Sequence, residues 1–176
     1  MKGVVFNLLE RAVSEEFGED TWDTLLEDAG LSGAYTSLGN YSDEEIEALV
    51  LAASQRLQIE PAQVLQWFGQ RAMPILKEYY PALFAGHASS KNFILSVNSI
   101  IHPEVRKLYA GAACPFFHFQ EDADGAVTMR YQSSRQLFDL AHGFVVGAAN
   151  LWNETVSVLR HPVSSPMADT MVIRWS

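Results

Sequence analysis

The chain has 176 residues, 48% hydrophobic and 19% charged, which predicts one ordinary globular domain with room for a core and a cavity. A formal net charge of −9 argues against a nucleic-acid surface, and no apolar run reaches the roughly 20 residues that span a bilayer. The single Cys114 excludes an intrachain disulfide and a multi-cysteine zinc site, and the short, charge-interrupted start MKGVVFNLLERAV is no signal peptide, so a cytoplasmic protein is expected.

Val4, Val5, Leu8, Leu9 and Val13 recur at helical spacing and predict a packed amino-terminal helix. A second helix should open near Asp20 and stop at Gly30. LSGAYTSLGNYS reads as a loop, and Ser42-Asp43-Glu44-Glu45 as a capping box opening a helix towards Leu57. Pro61 suits the first turn of the next helix, whereas Pro74 should break or kink it. A further helix is expected over residues 90–101. After Cys114, PFFHFQ and AVTMRYQSSR flank EDADG, where Asp124-Gly125 signals a hairpin. A helix over about 136–152 and two strand-like runs, ETVSVLRH and TMVIRW, complete the chain. The expected fold class is α+β: helices first, then a four-stranded antiparallel sheet carrying one long helix.

Two stretches hold candidate chemistry. In IIHPEVRKLY, Pro103 disfavours the helical region for His102, so one helix should end there and a short one begin, with His102 at its cap. The imidazole sits among Ile100, Ile101, Val105 and Leu108. It reads as a packed core residue, a helix cap, a catalytic base or a ligand. Base catalysis also needs an orienting carboxylate and a nucleophile, which no nearby motif supplies. In YQSSR, read as strand, Tyr131, Ser133 and Arg135 share one face over roughly 13 Å. Such a row suits a carboxylate-bearing ligand, or else a solvated sheet face.

His102 in HPEVRKLY followed by Tyr131-x-Ser133-x-Arg135 resembles the haem nitric oxide/oxygen binding (H-NOX) family, and the likeness extends from MKGVVFN through GAYTSLGNYS to the final sheet. The resemblance implies a single H-NOX domain over residues 1–176 that encloses haem b between the helices and the sheet. It makes His102 the axial ligand to iron. Tyr131, Ser133 and Arg135 become the propionate anchors, and Pro115 in the CPFF run the proline that presses on the porphyrin. It also implies that nitric oxide weakens the bond to His102 and that the haem and domain then change shape.

The same likeness places Val5 and Leu9 of the first helix and Leu140 and Phe144 of the later helix on the distal side. Leu140 stands where oxygen-binding relatives carry a tyrosine, and Pro74 where they tend to have a polar helper. Leu137, Leu140, Ala141 and Phe144 form a stripe without a donor, and His142 should point off it. A wall without donors implies nitric oxide as ligand, carbon monoxide more weakly, and little oxygen. A zinc site known in some relatives is expected to be absent, with Asp139, Ser164 and Val172 at or near the places of its cysteines and His161 alone remaining. His87 and His118 lack ligand-spaced partners. The expected output is not enzymatic but passes to a separate histidine kinase or diguanylate cyclase, the chain ending soon after the sheet. The rival reading is an α+β carrier for another apolar, carboxylate-bearing molecule.

Overall fold

The computed structural model describes residues 1–162 and 168–176, and begins with α1 (Gly3–Phe17), α2 (Glu19–Ala29), α3 (Asp43–Leu57) and α4 (Pro61–Tyr79). Gly30 stops α2 at φ 68°, its N–H on the Leu26 and Glu27 carbonyls. Both halves of the α3 capping box form: the Glu44 N–H donates to Ser42 Oγ at 3.2 Å, and the Ser42 N–H to Glu45 Oε1 at 3.3 Å. Of the expected break or kink at Pro74, the break does not occur; α4 continues to Tyr79 with Pro74 exposed. Its neighbours Ala72, Met73 and Ile75 are buried, and their packing holds the helix across the missing hydrogen bond.

Next come α5 (Pro81–Phe84), α6 (Ser90–Leu95), a π-helical turn (Val97–Ile101) and α7 (His102–Leu108). The single helix expected over 90–101 is therefore α6 plus the π turn. His102 is itself helical, at φ −63° and ψ −38°, and does not cap α7 from outside the helical region. Its N–H donates to the Val97 carbonyl five residues back, so the chain widens where Pro103 follows. A wider turn relieves the clash between a proline ring and the carbonyl four residues earlier, which lets the residue before proline stay helical.

The strands β1 (Phe116–Glu121), β2 (Val127–Gln132), β3 (Val156–Pro162) and β4 (Ala168–Trp175) form one antiparallel sheet in the order β1-β2-β4-β3. Between β1 and β2 the Asp122 N–H donates to the Ala126 carbonyl at 2.9 Å, with Gly125 at φ 82°. The helix α8 (Phe138–Leu151) joins β2 to β3, so the fold is the expected α+β.

The helices α4 and α8 meet backbone to backbone. A Cβ on Gly69 would lie 2.5 Å from the Leu140 carbonyl oxygen, and one on Gly143 only 2.2 Å from that of Gln66. One apolar cluster gathers Phe6, Leu9, Leu49 and Phe68 from α1, α3 and α4. Another gathers Phe93, Ile101, Met129, Phe138 and Met171 from the later helices and the sheet. The site lies where they meet.

Candidate functional site

A cavity of about 340 Å³ is bordered by residues of both clusters, among them Leu8, Phe68 and Leu140 from the first and Phe93, Ile101 and Phe117 from the second. That volume is in the range of sites that enclose small molecules and cofactors. Most of its wall is apolar. Its polar side chains include His102 from α7 and Tyr131, Ser133 and Arg135 from the end of β2 and the turn beyond it, with Lys2, Asn40, Tyr80 and Tyr109 also on the lining.

His102 lines this cavity, as do Val105, Leu108 and Tyr109 of the same segment. Its Nδ1 is the one buried side-chain nitrogen or oxygen without a hydrogen-bond partner among the described residues. Burial pushes the imidazole pKa down to about 4 and the nearby Arg106 charge adds to this, while the Pro115 backbone pulls weakly the other way. The ring is therefore neutral at physiological pH, the form that ligates metals. A buried, unpaired ring nitrogen costs free energy unless something compensates it, which disfavours the reading of His102 as a satisfied core residue. Pro115 borders the same cavity, and the Phe117 ring lies 5.8 Å from that of His102 at a 30° tilt.

Tyr131, Ser133 and Arg135 reach the cavity by a different route from the one expected. The strand ends at Gln132, and Ser133 and Arg135 belong to the turn into α8, where Gln136 has φ 49°. The Arg135 N–H donates to Ser133 Oγ at 3.2 Å, and the Leu137 N–H to the Tyr131 hydroxyl at 3.3 Å. The turn bends back on itself and brings all three side chains to one wall. Arg135 donates from Nε to Asp43 Oδ2 at 2.8 Å and from Nη1 to the Ala113 carbonyl at 2.6 Å. Its Nη2 has no protein partner among the described residues. Burial raises the Tyr131 pKa, so its hydroxyl keeps its proton.

Apolar lining also comes from α1, α4, the residue before α8 and α8 itself: Val4, Val5 and Leu8; Met73 and Leu76; Leu137; and Leu140, Ala141 and Phe144. Two positions depart from expectation. Leu9 is buried in the first apolar cluster away from the cavity, and Leu8 takes the place beside Val5. One residue turns a helix by about 100°, enough to send Leu9 between helices instead. Pro74 is exposed and borders nothing in the cavity, Met73 and Leu76 lining it instead. His142 stays off the cavity wall, as the helical spacing predicts.

Elsewhere, His118 Nε2 faces Gln132 Oε1 at 2.9 Å, and the His87 carbonyl accepts from Trp152 Nε1 at 3.2 Å. Asp139 is taken up by Gln66 at 2.9 Å and Arg160 at 3.1 Å, while Ser164 lies outside the described residues. Two residues that hold lining residues from behind were missed from sequence. Asp43 read only as a helix-cap charge, and Asn98 carried no signal beyond being polar in an apolar run, four residues before His102.

An α+β fold that closes an apolar cavity around one neutral histidine and one hydroxyl–guanidinium group has the features of a prosthetic-group-binding protein. The Haem-NO-binding family model matches residues 2–160, and the chain belongs to this H-NOX family of haem-based gas sensors. An H-NOX protein from Shewanella oneidensis in the Fe(II)NO ligation state superposes with a TM-score of 0.92 at 26% identity, covering 100% of this chain and 99% of that one. An unliganded Fe(II) H-NOX protein from K. algicida, carrying a single substitution, gives 0.89 at 25% identity over 100% and 97%. The soluble guanylate cyclase gcy-32 of Caenorhabditis elegans is 25% identical over 151 residues, 82% of this chain but only 22% of the cyclase.

Proposed function

We propose that this protein binds haem b in the cavity, senses nitric oxide there, and signals to a separate partner, a histidine kinase or a diguanylate cyclase, in the cytoplasm. One observation carries the reading. An imidazole with an orphaned Nδ1 shares an apolar cavity with a guanidinium whose Nη2 has no protein partner among the described residues. The neutral imidazole would offer a ring nitrogen to the iron. Tyr131, Ser133 and Arg135 would hold the acidic groups, with charge-assisted bonds worth about 1.5–3 kcal/mol each. Pro115 would press against the flat face of the ring.

Haem held there would supply a ferrous iron able to bind nitric oxide, with His102 as the protein's ligand to it. The protein's own part is to decide which gas stays and to turn a slackened His102 into movement. Val5, Leu140 and Phe144 exclude water and offer no hydrogen-bond donor, which favours nitric oxide, then carbon monoxide, over oxygen. His102 begins α7 beside a π turn, and release of its side chain would let that segment shift against the sheet. Among the described residues no helix is long and apolar enough to cross a membrane, which accords with a cytoplasmic site of action.

Reconstitution tests the reading: one haem per chain, measured as pyridine hemochrome and displaced by no excess of fatty acid, is expected. A protein that takes long-chain carboxylates in preference to haem would be a carrier of the rival kind.

A further inference from the structure

The segment carrying His102 is fastened at both ends and once in the middle. At its start the Ser90 N–H donates to Glu154 Oε2 at 3.1 Å, and Trp175 Nε1 to Ser90 Oγ at 2.8 Å. At its end the Tyr109 hydroxyl meets that of Tyr80. The middle attachment is Asn98, inside the π turn: its Nδ2 donates to the Phe117 carbonyl at 2.5 Å and its Oδ1 accepts from the Phe117 N–H at 3.2 Å.

Phe117 lies on β1, an edge strand, opposite Tyr131 of β2. Because its N–H goes to Asn98, the pair is of the type whose backbone groups point away from the neighbouring strand. One amide thus completes the open edge as a residue of a further strand would. Both bonds come from a single planar group, so the side chain has little freedom and the π turn is fixed against β1. A π-helix is rare and mostly occurs as a single turn inside an α-helix, and here the Ile101 N–H reaches the Ser96 carbonyl only at 3.4 Å. Its winding needs outside support. Asn98 precedes His102 by one helical turn, and Phe117 follows Pro115 by two residues. The same contact therefore sets the spacing between the imidazole and the segment bearing that proline.

We propose that Asn98 is the positioning residue of His102: by holding the Phe117 backbone it keeps the π turn wound and fixes how the imidazole is presented to the cavity. This rests on the reading of His102 as the iron ligand. Aspartate cannot donate to the Phe117 carbonyl, and alanine makes neither bond.

The test uses haem-loaded Asn98→Ala and Asn98→Asp, with Ser99→Ala as control, since the exposed Ser99 bonds only the Ser96 carbonyl within the turn. Two quantities are read: amide hydrogen exchange at Phe117, and the iron–histidine stretching band of the ferrous protein. Asn98→Ala should speed exchange at Phe117 about five- to tenfold and move the band by a few wavenumbers. Asn98→Asp should protect Phe117 yet still move the band, and it decides the matter if the alanine variant does not fold. The control should leave both unchanged. Faster exchange with an unmoved band, or an equal shift in the control, would overturn the proposal by reducing Asn98 to a structural contact. A wild-type protein whose band does not depend on His102 would instead overturn the reading of the site, and the role of Asn98 with it.

Discussion

Arg135 reaches Asp43 across 92 residues of sequence, donating from Nε to Oδ2 at 2.8 Å while Nη1 donates to the Ala113 carbonyl at 2.6 Å. The guanidinium is thus held from two sides before any ligand arrives, which lowers the entropy lost on binding. Arg135→Ala is expected to raise the rate of haem loss to an acceptor protein roughly ten- to a hundredfold, the loss of a bond worth about 1.5–3 kcal/mol. Tyr131→Phe should act in the same direction, and Asp43→Asn more weakly. Both should leave the apoprotein's circular dichroism unchanged. Haem loss at the wild-type rate in all three would place this group outside the site.

Asp43 also gives acid sensitivity a sign. Burial alone would raise its pKa, but the Met1 ammonium and the Arg135 guanidinium outweigh this and hold it below the ordinary carboxylate value. A carboxyl lowered by folding contributes stability above its unfolded pKa, about 3.9, and loses it as pH falls through the folded value. The stability difference between wild type and Asp43→Asn, from chemical denaturation, should therefore be full near neutrality and shrink below about pH 4. A difference constant into stronger acid would show that the charge is not what Asp43 contributes.

On the proposed reading, gas selectivity should follow from Leu140, which is buried and lines the cavity together with Phe144 and Val5. The ferrous protein is expected to bind nitric oxide and carbon monoxide and to form no stable oxygen complex in air-saturated buffer. Leu140→Tyr should confer measurable oxygen affinity by adding a donor. A stable oxygen spectrum in the wild type would contradict the donor-free wall.

Gly143 has no room for a side chain, because an added Cβ would lie 2.2 Å from the Gln66 carbonyl oxygen. Gly143→Ala must push α8 off α4. Overpacking of this kind costs about 1–3 kcal/mol, and Tm should fall by roughly 2–4 °C per kcal/mol in a domain of this size. Since α4 and α8 share the cavity wall, haem retention should fall as well. An unchanged Tm would mean that the two helices can separate freely.

The readable parts of this molecule are those whose signals are local. Ser42 and Glu45 lie within one turn of each other, Gly30 ends a helix by its own backbone, and Asp124-Gly125 sits between strand-like runs. The departures arise where distant packing decides. Pro74 stays helical because buried neighbours hold it, and His102 stays helical because a π turn absorbs the proline. Ser133 and Arg135 leave the strand because a turn does, yet the motif still delivers them to the same wall. Leu9 and Leu8 differ by a single residue of helical phase, which an apolar run of that density leaves open. Asp43 and Asn98 find their partners 92 and 19 residues away, and no spacing rule announces such pairs.

The most direct measurement is the spectrum of ferrous His102→Gly with and without added imidazole. If His102 is the iron ligand, the variant should lose the five-coordinate ferrous spectrum of the wild type and recover it when imidazole fills the space left by the side chain. A wild-type spectrum without imidazole would show that another residue holds the iron and would contradict the assignment on which the sensor reading depends.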